Sequence, residues 1–438
     1  MTGERYVLLG LAQARSSWFA TVAHWATSGT IPAEFVKCVS SSELRARLGT
    51  GRPFSAVLVD ASCPELDRDL VAAARAAGCA CLVVEDRRAT HDWAALGVAG
   101  RLPEYFDPAT LLELLRVHAP VVGRHDELPG TPPPPAPTAG GRVVTVAGPG
   151  GTGASTLAIA LAQALAGAPG PGGVVLADLA LHAEQAMLHD SQDVVPGLQE
   201  LVEAHRAGQP PAHAAWSHTF AVAERGYRLL LGLRRARAWS ALRPAAFTAA
   251  FASLRAAFDT VVCDTDADVE GEEEGGSIDV EERNLMARTA ALEADVVMAV
   301  GAPGMKGVHT LVRVLNELQS AGVAPERLVP VVNRAPRGGR ARAEMAAAVA
   351  GLAEASGRQF GPVLFVPERR VEEALRDGVA LPAGLADPLA GAYRATVGRL
   401  PAAPGGPGAP VAVRPGSLGS WSTGAGDDLD EAGEAAFG

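Results

Sequence analysis

One stretch of the chain, Val143 to Ala166, restricts the fold more than any other. It reads VVTVAGPGGTGASTLAIALAQALA, which is a β-branched apolar run, then glycines, then Ser155 and Thr156 leading into an apolar pattern with helical period. This order predicts a strand, a tight loop and a helix. Glycines in such a loop let successive N–H groups converge on one anion, and the helix dipole adds its positive end. The stretch therefore predicts a phosphate-binding loop.

The loop lacks a charge that loops of this kind usually carry. The usual form, G-x-x-x-x-G-K-[ST], contains a lysine that neutralises the β- and γ-phosphates. Here Ala154 occupies that position, and the only lysines of the chain, Lys37 and Lys306, are distant in sequence. We predict that the phosphate-binding residues are Gly148, Gly150, Gly151, Thr152, Gly153, Ala154, Ser155 and Thr156.

Length, charge and cysteine content limit the class of protein. At 438 residues, the chain is expected to form two or three domains. The formal net charge of −11 argues against bulk attraction to nucleic acid or anionic membranes, so we expect no DNA partner and only indirect membrane contact. Five cysteines, mostly in apolar runs, indicate buried reduced thiols. The sequence shows neither a secretion signal nor a long unbroken apolar run, so we expect a cytoplasmic protein.

Residues 1–122 alternate strand and helix patterns, which predicts a flavodoxin-like α/β domain with a parallel sheet. The size and strand count resemble the receiver domain of two-component response regulators, whose phosphorylated aspartate ends the third strand, here Asp60. The places where receivers carry acids for Mg²⁺, a Ser or Thr and a lysine read GLAQARSS, VEDRR and LPEYFDP. Without those groups, phosphoryl transfer lacks electrostatic support. We predict a pseudo-receiver used for binding, with phosphorylation of Asp60 as the alternative.

Three further segments follow. Residues 123–141 contain ELPGTPPPPAPTAGG, which is typical of an interdomain linker. Residues 142–400 contain seven strand patterns, largely connected by helical patterns, and predict a doubly wound domain that binds its ligand at the carboxyl ends of the strands. Residues 401–438 are rich in Gly, Pro and Ser and then acidic, so we expect a disordered tail.

Acidic side chains end two strand patterns behind the loop. The run Thr260 to Asp264 (TVVCD) has the Walker B form, whose carboxylate holds Mg²⁺. Asp178 ends the strand that follows the loop helix. These acids predict a metal site that contains Asp178 and Asp264. The resemblance of the loop to those of P-loop ATPases implies ATP as the cofactor and Ser155 as the hydroxyl ligand of Mg²⁺.

The order of these motifs resembles the MinD/ParA superfamily of P-loop ATPases, whose loop reads K-G-G-x-G-K-[ST]-T. On that pattern Pro149 replaces the first lysine and Ala154 the second. The second acid of the family's D-x-D, associated with activating the attacking water, is Ala180 here. Asn333 and Arg334 resemble the N-R pair that lies near adenine in the family, which adds them to the predicted nucleotide site.

The arrangement of a pseudo-receiver, a linker and a MinD-like domain resembles one branch more specifically. This branch comprises the TadZ/CpaE localisation proteins of pilus assembly and the actinobacterial septum-site-determining (Ssd) proteins. The resemblance implies a positioning and scaffold protein, either for cell division or for Tad-type pilus secretion. It also implies protein partners of that machinery, a homodimer, and recruitment to the pole or septum.

The missing charges predict weak nucleotide binding and little turnover. Losing a charge-assisted hydrogen bond costs on the order of 1.5–3 kcal/mol, so Mg²⁺–ATP binding is expected to be weak or lost. Hydrolysis depends on stabilising the charge of the transferring phosphoryl group, so it is expected to suffer more. The alternative is an active ATPase switch in which Lys306 or an arginine of a partner subunit replaces the lysine.

Overall fold

The computed structural model describes residues 5–13, 16–86, 92–122, 140–167 and 172–400. The predicted linker lies outside the described residues up to position 139, and so does the predicted tail at 401–438. The described residues fold around two mainly parallel sheets, each with its own helices. We call the first sheet with its helices, within residues 5–122, the first layer, and the second sheet with its helices, within residues 140–400, the second layer. Among the described helices, none combines the length and the apolar character needed to cross a membrane.

The first sheet has five parallel strands in the order β2-β1-β3-β4-β5. This is the strand order of flavodoxin-like folds. Apolar clusters lie on both faces of the sheet, and its three central strands are buried along their whole length. The elements are β1 (Tyr6–Leu11), α1 (Ser17–Thr27), β2 (Ala33–Cys38), α2 (Ser41–Leu48), β3 (Ala56–Asp60), α3 (Arg68–Ala76), β4 (Ala80–Val84), α4 (Trp93–Leu96), β5 (Gly100–Leu102) and α5 (Pro108–His118).

The second sheet has eight strands in the order β13-β12-β11-β6-β10-β7-β9-β8. Its strands are β6 (Arg142–Ala147), β7 (Val174–Asp178), β8 (Phe220–Val222), β9 (Tyr227–Leu230), β10 (Thr260–Thr265), β11 (Val296–Gly301), β12 (Leu328–Ala335) and β13 (Leu364–Pro367). Its α-helices are α6 (Ala154–Ala166), α7 (Gln185–Leu188), α8 (Leu198–Ala204), α9 (Pro244–Ala257), α10 (Glu272–Gly275), α11 (Ile278–Arg283), α12 (Leu285–Leu292), α13 (Met305–Ser320), α14 (Gly339–Ala355), α15 (Glu372–Arg376) and α16 (Ala383–Val397).

Seven of these strands are parallel and correspond to the seven strand patterns of the sequence, whereas β8 was not predicted. It pairs antiparallel with β9 at the edge of the sheet. Its three residues, Phe220, Ala221 and Val222, are apolar, but a run of three is too short to predict a strand from the sequence.

The helix that follows the loop, α6, is largely buried in apolar contacts. Eight residues of α6 are buried, because the helix is apolar around its whole circumference. It packs in one apolar cluster with β6, β10 and α16. The loop between β6 and α6 is therefore anchored at both ends by rigid, buried elements.

The two layers meet where α3 contacts α9 and the residues that follow α8. The backbone N–H of Arg68 donates to the Arg206 carbonyl at 3.0 Å. The Asp69 carboxylate accepts from the N–H groups of Ala245 (2.9 Å) and Ala246 (3.4 Å), in the first turn of α9. Asp69 is buried, and it therefore caps a helix of the other layer.

Candidate functional site

The loop between β6 and α6 has the backbone that its glycines predict. Gly151 and Gly153 adopt φ values of 82° and 83°, in the left-handed region that favours glycine. The N–H and the hydroxyl of Thr152 both donate to the Pro149 carbonyl, at 3.2 and 2.7 Å. Gly153 directly precedes α6, so the positive end of the helix dipole faces the mouth of the loop. This geometry is suited to holding an anion.

The lysine position of the loop is apolar in the structure. Ala154 is 7 % exposed and belongs to the apolar cluster of β6 and α6. A methyl group built on Gly148 would lie 3.0 Å from the Ala154 Cβ, so the two backbones pack closely. Lys306, the cation considered for the alternative ATPase, is exposed in the first turn of α13. Residue 154 therefore provides no charge to a bound phosphate.

The two predicted metal-binding acids lie side by side. Asp178 and Asp264 are register partners on neighbouring strands, and they are 0 % and 2 % exposed. Burial raises the pKa of Asp264 to about 6, although hydrogen bonds from Gln185 and Ser155 act in the opposite direction. Burial also raises the pKa of Asp178 well above its ordinary value, and the charge of Asp264 adds to this. Burial therefore disfavours the charged form of both carboxylates.

Gln185 joins the acids to the loop, and no sequence motif identified it. Its Nε2 donates to Asp264 Oδ2 at 2.7 Å and to the Ser155 carbonyl at 3.3 Å. Its backbone N–H donates to Asp178 Oδ2 at 2.9 Å. The Gln185 side chain is fully buried, yet its Oε1 has no hydrogen-bond partner among the residues that the structure describes. An unpaired buried acceptor next to two carboxylates is suited to a donor such as a metal-bound water.

Asn333 and Arg334, predicted from the N-R pair, reach the loop from the end of β12. Asn333 Nδ2 donates to the Thr152 carbonyl at 2.8 Å, and Arg334 Nη1 donates to the Gly151 carbonyl at 3.1 Å. A methyl group on Gly153 would come within 2.5 Å of Asn333 Nδ2, so this close approach requires glycine. The structure therefore brings the loop, both acids and the N-R pair together.

The site fits a nucleotide with its magnesium ion. Mg²⁺ usually keeps several waters and is held by one or two carboxylates together with substrate phosphates. Asp264 and Asp178 could supply the carboxylates and Ser155 the hydroxyl, while the unpaired Oε1 of Gln185 could accept from a bound water. Within the described part of the chain, no group of three or more His, Cys, Asp or Glu side chains could hold a metal ion by itself.

In the first layer, Asp60 ends β3 as predicted, and its carboxylate is already engaged. Its Oδ1 accepts from the Ser62 N–H (2.9 Å) and hydroxyl (2.6 Å), and its Oδ2 accepts from Trp18 Nε1 (3.1 Å) and the Ser16 hydroxyl. Burial alone would raise the pKa of Asp60, but these hydrogen bonds outweigh burial and lower it. The four bonds give this carboxylate a structural role.

A separate cavity of about 900 Å³ opens beside the loop. Gly148 and Pro149 contribute to its rim, and the segment Asp266 to Glu270 forms one wall together with residues of α12, α13 and α14. Its lining does not include Asp178, Asp264 or Ser155. The cavity is therefore distinct from the acid pair.

A glycine loop between a central strand and its helix, with acids ending neighbouring strands, defines the P-loop class of α/β proteins. Solved structures that resemble this chain include ATPases of the ParA and MinD families. A ParA family ATPase from Chlorobium tepidum TLS is 15% identical, with a TM-score of 0.45, and the match covers 59% of this chain and 99% of that chain. The cell division ATPase MinD of Pyrococcus furiosus is 21% identical, with a TM-score of 0.42 and coverage of 58% and 99%.

A third similar structure is the septum site-determining protein MinD complexed with Mg-ADP from Pyrococcus horikoshii OT3, at 19% identity, a TM-score of 0.41 and coverage of 58% and 94%. No protein-family model matches the sequence, and no curated protein matches it either.

Proposed function

We propose that the chain is a positioning and scaffold protein whose P-loop domain binds Mg²⁺–ATP weakly and hydrolyses it slowly or not at all. One observation carries the proposal: a buried methyl group, Ala154, occupies the lysine position of a loop that otherwise retains a phosphate-binding backbone. The buried pair Asp178 and Asp264 supports metal binding at the same place. The site is thus equipped to hold a metal–nucleotide complex without the usual cation.

Slow hydrolysis follows from the groups that are missing together. The transferring phosphoryl group needs positive charge, which neither Ala154 nor Pro149 supplies. Ala180 cannot position a water, because its side chain is a methyl group that is nearly buried beside Asp178. A protein of this kind responds to nucleotide by its bound state and not by rapid turnover.

The test is calorimetric titration with Mg²⁺–ATP together with a turnover assay, on the native protein and on Ala154→Lys. We expect negligible turnover in the native protein. In Ala154→Lys we expect affinity to rise by roughly ten- to a hundredfold, because one charge-assisted hydrogen bond is restored. The matched control is Ala347→Lys, which adds the same charge at an exposed position of α14. Native turnover like that of ordinary ParA-like enzymes, or equal affinities for the two lysine variants, would refute the proposal.

The wider role rests on the resemblance to the TadZ/CpaE and Ssd proteins described above. We infer residues 1–122 to be a pseudo-receiver domain, 123–141 a linker, 142–400 the P-loop domain and 401–438 a tail. The protein partners would belong to the division machinery or to the Tad pilus machinery, and the protein would act in the cytoplasm as a homodimer recruited to the pole or septum. Co-purification from the native cell would identify which machinery is bound.

The alternative of control through phosphorylation of Asp60 is less well supported by the geometry. Both oxygens of the carboxylate accept hydrogen bonds, two of them from Ser62. A phosphoryl acceptor needs one free oxygen and a nearby metal. We therefore favour a binding role for the first layer.

A further inference from the structure

The backbone of Arg334 is shaped in a way that directs its side chain. Its φ of 52° lies in the left-handed region, which non-glycine residues rarely adopt. The Asn333 Oδ1 accepts from the Arg334 N–H at 2.9 Å and holds this conformation. The pairing of β12 with β13 also changes register between Val332 and Ala335. Such a bulge re-aims side chains at the end of a strand.

As a result, the guanidinium of Arg334 lies on the phosphate-binding loop. Its Nη1 donates to the Gly151 carbonyl at 3.1 Å. Its Nη2 would lie 3.7 Å from a methyl group built on Gly153, the residue that precedes Ala154. The guanidinium of Arg334 therefore lies next to the residue that precedes position 154, where an ordinary loop of this kind carries its lysine.

The charge of Arg334 remains available to a ligand. The residue is exposed, and a guanidinium has five N–H donors, of which the Gly151 carbonyl uses one. Glu372, at the start of α15, is an exposed acid whose pKa is lowered mainly by backbone hydrogen bonds and to a smaller extent by the charge of Arg334. A contact between two exposed groups is screened by water and salt, so it competes weakly with a polyphosphate.

A second observation indicates that the loop binds a ligand. The fully buried side chain of Gln185 donates to the Ser155 carbonyl and to Asp264, while its Oε1 finds no partner within the described part of the chain. Buried acceptors of this kind are normally paired. The unpaired atom and the guanidinium thus flank one loop that is shaped for an anion.

We propose that Arg334 supplies the positive charge for the phosphate chain that Ala154 lacks. This inference rests on the proposed function and deepens it, because it identifies the cation of the site. It differs from the role that the family resemblance implies, in which the N-R pair lies near adenine. Arg334 lies at the end of β12, and its hydrogen bond to the Gly151 carbonyl holds its side chain at the loop. The guanidinium is therefore suited to binding the phosphate chain, and not to moving with a phosphoryl group during transfer.

The test compares Mg²⁺–ATP with Mg²⁺–tripolyphosphate, which has no base, in titrations of native protein and Arg334→Gln. We expect Arg334→Gln to lower both affinities by roughly tenfold or more, because a charge-assisted contact to phosphate is lost. Arg334→Asn should also lower both affinities, and asparagine is a residue type that tolerates positive φ at this position. The matched control is Arg340→Gln on α14, whose side chain is 93 % exposed and which should bind like the native protein.

Two further readouts separate charge from structure. Raising the salt concentration should weaken binding by the native protein more than by Arg334→Gln, because an exposed charge is screened. Adding Ala154→Lys to Arg334→Gln should restore affinity. Equal affinities of Arg334→Gln and native protein would overturn the inference and leave the proposed function standing. A loss for ATP without a loss for tripolyphosphate would overturn it in favour of a contact to the base, and a native protein that binds neither ligand would refute both proposals.

Discussion

Replacing Asp264 by asparagine should stabilise the protein without ligand and at the same time abolish its response to Mg²⁺–ATP. Asp264 is 2 % exposed, and burial raises its pKa from 3.8 to about 6. A shift of about 2 units, at about 1.4 kcal/mol per unit, corresponds to about 3 kcal/mol. At pH 7 the native carboxylate is charged in an interior that disfavours charge. An amide of the same size removes this cost and can still accept from Gln185 Nε2.

The sign of the pH dependence follows from the raised pKa. Between about pH 4 and 6 the folded state binds a proton at Asp264 that the unfolded state has already released. The contribution of Asp264 to the free energy of unfolding should therefore fall as pH rises through this window, by about 3 kcal/mol, and then level off. Asp264→Asn does not lose stability in this way. The free energies of unfolding of the two proteins should therefore differ little near pH 4 and most at pH 7.

Thermal and chemical unfolding in EDTA, at several pH values, would measure the difference. For a domain of this size, about 3 kcal/mol corresponds to a rise in Tm of roughly 6–12 °C at pH 7. Addition of Mg²⁺–ATP should raise the Tm of the native protein but not of the variant, because the metal ligand is gone. Asp279→Asn, which changes an exposed acid of α11, serves as the control and should alter neither property.

Either of two results would contradict this reasoning. If Asp264→Asn were less stable than the native protein at pH 7 without ligand, the carboxylate would be a satisfied structural group and not a disfavoured charge. If the variant kept the full Tm response to Mg²⁺–ATP, Asp264 would not contact the metal.

Two other substitutions test the contacts around the site. Gln185→Leu should weaken Mg²⁺–ATP binding by roughly tenfold in calorimetric titration. The reason is that a hydrogen bond to the charged Asp264 is lost while the side chain keeps a similar size. Unchanged affinity would show that the Gln185 side chain does not position Asp264. Asp69→Ala should lower the free energy of unfolding of the whole chain by about 1–2 kcal/mol in a denaturant titration, because the first turn of α9 loses its cap. Asp107→Ala removes a cap within the first layer and should leave the unfolding of the second layer unchanged, so similar profiles for the two variants would argue against coupling through Asp69.

Sequence patterns predicted those parts of the site that follow from strand and loop periodicity. Asp178 and Asp264 each end an apolar run, and the carboxyl ends of neighbouring parallel strands meet at one edge of a sheet. The glycines of the loop predicted its left-handed turns, because residues with a Cβ avoid that conformation. Such inferences need only local pattern and the rule for ligand sites in parallel sheets.

The remaining parts depend on contacts that no local pattern encodes. Gln185 lies seven residues beyond β7, in a short helix whose position is fixed by packing. The reach of Arg334 to the loop depends on a bulge and on a hydrogen bond from its own backbone N–H to the Asn333 side-chain oxygen, and neither has a periodic signature. Asp69 reads as an ordinary acid of the first turn of α3, and its role as a cap for α9 exists only once the two layers meet.

The distribution of charge in the site determines which form of the nucleotide can bind. The two buried acids bring negative charge to the place where phosphates would add more, and Arg334 brings one exposed positive charge that salt screens. With a methyl group at residue 154, the largest positive charge that can reach the acids is a divalent ion. The metal–nucleotide complex should therefore be the ligand, because free ATP would leave the acid pair uncompensated. An ordinary P-loop lysine provides part of that compensation itself, so this site should depend on magnesium more strongly than a loop that contains the lysine.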